Sequence, residues 1–63
     1  MKNYIFITNG KETIDVVMLT GYEREECFAE LNRLLNSYEK MGKHYTYELT
    51  DEKGNNIFTS YAN

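Results

Sequence analysis

The stretch EREECFAELNRLLNSYEKMGK, residues 23–43, decides the architecture of this chain. Its apolar side chains, Cys27, Phe28, Leu31, Leu34, Leu35, Tyr38 and Met41, recur at spacings of three and four. Projected at about 100° per residue they form one stripe, with Glu26, Ala29, Arg33, Asn36 and Lys40 opposite. Such a stripe is the buried side of a single amphipathic helix, and the rest of the chain has to cover it.

Outward from that helix, glycine-marked turns divide the flanks into two hairpins. Asn9-Gly10 stands between two apolar runs, a strong hairpin signal because both central residues of a two-residue turn take positive φ. Gly21 separates strand from helix, Gly42 closes the helix, and Gly54 lies in the polar cluster 51–55, which suits a second turn. The expected order is strand (about 3–8), strand (about 12–20), helix (about 22–41), strand (about 44–50) and strand (about 56–61). Thr20 and Glu23 stand three apart, as a capping box requires, while Glu23, Glu25 and Glu26 complement the positive end of the helix dipole.

Register follows from the turns. A two-residue turn at Asn9-Gly10 pairs Ile7 with Glu12 and Ile5 with Ile14, placing Ile5, Ile7, Ile14, Val16 and Met18 on one face. A three-residue loop at 52–54 pairs Leu49 with Ile57, Tyr47 with Thr59 and Tyr45 with Tyr61. The helix returns the chain so that the third strand pairs antiparallel with the first. The expected fold is α+β with order ββαββ. It is a four-stranded antiparallel sheet of spatial order 2-1-3-4, one helix packed on one face, with residues 1–63 forming a single small domain. Tyr45, Tyr47, Leu49, Ile57 and Tyr61 complete the covered face. The open face then presents Tyr4, Phe6, Val17, Leu19 and Phe58 among Lys2, Asp15, Glu48 and small hydroxyl residues. Aromatics among small polar residues are the composition of interface cores. Tyr4, Phe6, Asp15, Val17, Leu19, Glu48 and Phe58 are therefore the expected protein-interface residues. Tyr22 falls outside the helix stripe and is expected exposed or folded over the start of the helix.

Composition narrows the function. A core in 63 residues rarely supplies more than about 3–5 kcal/mol of net stability. Cys27 is the only cysteine, so no intrachain disulfide forms, and one thiol with one histidine, His44, makes a poor zinc set. Self-association into a homodimer is the remaining route to extra burial. Ten acidic against seven basic residues, a net charge of −3, argue against nucleic acid, although aromatics on an open sheet can stack bases. The apolar run Tyr4-Ile5-Phe6-Ile7 is too short for a signal peptide, and no stretch reaches the length of a membrane span. With a single thiol, a cytoplasmic location is expected.

No constellation for catalysis, cofactor or metal binding stands out. Cys27 lies near the helix N-terminus but on the buried stripe and among glutamates, which favours a small hydrophobe over a thiolate. His44 has no nucleophile or carboxylate placed around it by spacing. Glu23, Glu25, Glu26 and Glu30 crowd one end of the helix, and Asp51-Glu52 lack the ligand alternation of a calcium loop. Such an acidic edge can meet a basic partner surface. In plan, two hairpins flanking a helix resemble many small proteins of phages and mobile elements, and the resemblance implies inhibition or modulation of a larger protein. The function expected is that of a cytosolic, non-enzymatic protein-binding domain. The alternatives are a self-associating domain and, third, a nucleic-acid-binding sheet.

Overall fold

The structure, a computed structural model, describes residues 2–61. Strands β1 (Lys2–Thr8) and β2 (Thr13–Thr20) precede helix α1 (Arg24–Lys40), and strands β3 (Thr46–Asp51) and β4 (Asn56–Ser60) follow it. The strands form one antiparallel sheet in the order β2-β1-β3-β4, the expected topology. The apolar stripe of α1 faces it. Cys27 and Leu31 join Ile5, Ile7, Leu19, Tyr47 and Leu49 in a core of residues no more than 2% exposed. Phe28, Leu34, Leu35, Tyr38, Val17, Tyr45 and Ile57 pack around that centre. Met41 ends the stripe outside the core, 58% exposed at the helix C-cap.

The helix starts three residues later than the expected capping box. Thr20 is consumed by the sheet, where it pairs with Lys2, and Gly21 turns the chain at φ +80°. Glu23 is the N-cap, and its N–H donates to Glu26 Oε1 at 3.0 Å. A box spanning Glu23 and Glu26 thus replaces one spanning Thr20 and Glu23. Tyr22 is exposed, as expected.

Both hairpins differ in register from the sequence expectation, each for a local reason. In the first, the Asn9 side chain acts as the turn's acceptor, with Oδ1 taking the N–H groups of Lys11 and Glu12 at 2.9 Å. The Asn9 N–H in turn donates to the Glu12 carbonyl. This Asx arrangement makes the loop longer than two residues. Ile7 therefore pairs with Asp15, Ile5 with Val17 and Asn3 with Leu19, and the ladder is irregular between Ile7 and Thr8. Expected and observed pairings differ by an odd number of residues, which moves every β2 side chain to the other face. Val17 and Leu19 enter the helix side, while Val16 and Met18 leave it. The observed register also pairs all of β1 from Lys2 onward with β2, where the two-residue turn leaves Leu19 and Thr20 beyond the end of β1.

In the second hairpin, the Asp51 carboxylate organises the turn by accepting from the N–H groups of Lys53 and Asn55 at 2.9 Å and from Asn55 Nδ2 at 3.2 Å. Gly54 supplies the positive φ, +87°. Thr50 pairs with Asn56 in the expected register, but a bulge follows, and Leu49 then pairs with Phe58 and Tyr47 with Ser60. One extra residue on β4 turns Phe58 toward the helix, where its ring meets Phe28 edge-on at 5.3 Å. Tyr61, expected on the covered face, is 78% exposed beyond the end of β4.

Tyr47 carries an unpaired group. Its ring is 1% exposed, and its hydroxyl has no hydrogen-bond partner among the described residues. An orphaned buried hydroxyl costs about 1–3 kcal/mol. Tyr47→Phe removes it without changing ring packing, so the urea midpoint is expected to rise, by about 1 kcal/mol of stability. The two corrected registers give a paired test. Phe58→Ser should lower stability by about 1–2 kcal/mol through its lost contact with Phe28, whereas Met18→Ser should change it by no more than about 0.5 kcal/mol. Equal effects in urea denaturation would contradict this assignment of faces.

Candidate protein-binding face

Along β1, side chains alternate between helix and open side. Ile5 and Ile7 are fully buried under α1, so Tyr4 and Phe6 project from the opposite face. Met18 lies across from Tyr4 and Val16 across from Phe6 on β2. On β3 the same two residues are flanked by Thr50 and Glu48. The Tyr4 and Phe6 rings lie 6.3 Å apart at 35° and are half-buried by these neighbours. Val16 and Met18 remain 47% and 58% exposed. Four apolar side chains from two adjacent strands thus form a continuous cross-strand patch.

The margin of this patch is hydroxylic. Thr8, Thr13 and Thr20 lie at the β1 and β2 ends, and Thr46 and Thr50 on β3, with Thr59 beyond Glu48 on β4. β-branched threonines suit a pleated surface with one side in water. Lys2 and Glu48 are the charged side chains on this face among the described residues. An apolar centre with a polar margin and little charge is the composition of a protein interface.

The sequence-derived interface set divides on this geometry. Tyr4, Phe6 and Glu48 come together on the open face. Val17 and Leu19 do not belong there, since the register of β2 carries them into or against the core. Phe58 is likewise removed, because the β4 bulge seats it on Phe28. Asp15 pairs with Ile7 on the helix side of the sheet, at the exposed edge, and its Oδ1 accepts the N–H of Val16 at 2.8 Å. A side chain of β2 itself thereby occupies a main-chain donor of this edge strand, which opposes addition of a further strand. Val16 and Met18 are the members the sequence reading missed. The signal that could have found them is the capacity of the Asn9 side chain to build a longer turn.

The other candidate features are less open. Glu30 forms a two-pronged ion pair with Arg33, with Oε1 to Nε and Oε2 to Nη2 both at 2.7 Å. The Arg33 hydrogen bonds hold the Glu30 carboxyl below its ordinary value. Glu26 is engaged at the helix start, so part of the acidic edge is already paired. Cys27 is buried, and burial pushes its thiol pKa up, against the smaller opposing effect of Arg24. His44 Nδ1 lies 3.6 Å from Glu39 Oε2 at an exposed site. Among the described residues, no three His, Cys, Asp or Glu side chains gather to hold a metal ion. Nor is any helix among them long and apolar enough to cross a membrane. No protein-family model matches the chain, and no curated protein or solved structure is significantly similar to it.

Proposed function

We propose that this protein is a small, cytoplasmic, non-enzymatic binding domain that docks on a larger protein through the open face of its sheet. The observation that carries this reading is the gathering of Tyr4, Phe6, Val16 and Met18 on the side of the sheet opposite α1. Aromatic residues and methionine are enriched in interface cores, and capture of the rings in a partner's apolar pocket removes exposed area at small entropic cost. A domain that binds without chemistry changes its partner by covering surface, which is how it inhibits or modulates. The cytoplasmic assignment rests on the lone, buried thiol of Cys27, which suits a reducing compartment.

A homodimer is the second reading, and one observation favours it. Lys2 and Glu48 are opposite charges on the same face, so a two-fold arrangement can set each against the other across the interface.

Val16→Lys and Met18→Lys place charges in the patch at exposed positions, so folding and the helical CD signal should persist. Each variant should reduce capture of the native partner about tenfold or more, as loss of a buried anchor does. Lys40→Glu, on the far side of α1, should leave capture intact. Equal capture by all variants would refute the open-face reading. Sedimentation over a wide concentration range separates the alternatives, because a homodimer through this face should dissociate in the Met18→Lys variant.

A further inference from the structure

On the helix side, the end of the sheet nearest the start of α1 carries two adjoining hollows. One, of about 440 Å³, is lined by Asn3, Gly21, Tyr22, Glu23 and Arg24. The other, of about 380 Å³, is lined by Asn3, Arg24 and the β3–β4 turn residues Asp51, Glu52, Lys53 and Asn55. Asn3 and Arg24 are common to both, so the two form one cleft between the helix start and the turn. Each part falls within the size range of small-ligand sites, about 300–1,000 Å³.

Both shared residues break a local rule. Asn3 sits in β1 between Leu19 and Asp51, in the row that continues as Ile5 and Ile7, and is only 4% exposed. Asparagine is depleted in strands, and a buried amide is normally hydrogen-bonded. Among the described residues the Asn3 side chain has no hydrogen-bond partner, and its amide is not sealed from solvent as the Tyr47 hydroxyl is. Arg24 is the first residue of α1, where the helix dipole favours acids and disfavours cations. It forms no ion pair among the described residues, and neither does Lys53. Local rules broken without local compensation mark functional positions.

We propose that this cleft binds a carboxylate. The guanidinium of Arg24 presents a planar fork that matches two carboxylate oxygens, and the Asn3 amide supplies a further donor from the floor. Lys53 adds charge from the turn, and the Asp51 carboxylate accepts three hydrogen bonds from its own loop and forms no ion pair with Arg24 among the described residues. Glu23, Asp51 and Glu52 on the walls repel any anion, and they oppose a doubly charged phosphate about twice as strongly as a singly charged carboxylate. The carboxylate belongs either to a free α-amino acid, whose ammonium group then meets those glutamates, or to the C-terminus of a polypeptide. This site lies on the opposite side of the sheet from Tyr4 and Phe6 and stands or falls independently of the open face.

Titration of the whole 15N-labelled chain with N-acetylalanine, alanine and N-acetylalanine amide tests the proposal. A carboxylate ligand should give saturable shifts at the Asn3 side-chain amide, Gly21 and Lys53, and the uncharged amide should give none. Saturation by N-acetylalanine and not alanine identifies a chain end; saturation by alanine alone identifies a free amino acid; saturation by both shows recognition of the carboxylate itself. Arg24→Gln, at an exposed position, should weaken binding about tenfold or more, and Val16→Lys should leave it unchanged. Absence of saturable shifts with either carboxylate, equal binding of the amide, or undiminished binding to the Arg24→Gln variant would overturn it.

Discussion

A single helix over a single sheet covers one face only, and the two-residue period of every strand sends alternate side chains to the other. That constraint sets the economy of this molecule. Ile5, Ile7, Tyr47 and Leu49 on the two central strands meet Cys27 and Leu31 of α1 and make the core. Tyr4 and Phe6, interleaved with the two isoleucines, are thereby obliged to face outward. The register of the edge strand β2 then selects what accompanies them, and it selects Val16 and Met18. The apolar character of the open face is a direct consequence of how the covered face is filled.

The sequence made the elements, their order and the central strands legible because each carries a one-sided signal. The stripe of α1 has polar residues opposite, β3 alternates Tyr47 and Leu49 with Thr46 and Glu48, and glycines mark the joins. The edge strands were not legible to the same depth. β2 is apolar on both faces, with Val16 and Met18 on one and Val17 and Leu19 on the other, so its pattern fits either register. Only the turn decides, and there an asparagine side chain replaced the two-residue geometry that Asn-Gly suggests. On β4 a single bulge residue produced the same reversal. An edge strand is held from one side alone, so small changes in turn chemistry move it as a unit. Of the candidate site, Tyr4, Phe6 and Glu48 could be read because they lie on central strands. The cleft could not, since Asn3, Arg24 and Lys53 meet only through the folded topology.

The two candidate sites differ in physical character. Binding through the open face, as proposed, would rely on removal of apolar area from water and depend little on salt. The cleft relies on a few directional donors around Asn3 and Arg24 and discriminates by the geometry of a planar anion. A chain of this size can carry both because they occupy opposite sides of the sheet and share no residue.

The engagement of Asp15 with Val16 and the bulge in β4 have a joint effect on growth by stacking. Cross-β fibrils extend by adding flat strands at exposed sheet margins. Here one margin has a main-chain donor capped by its own carboxylate, and the other is kinked within a short strand. Oily side chains on the broad side can therefore stay available for a partner while both routes to endless polymerisation along the backbone are obstructed.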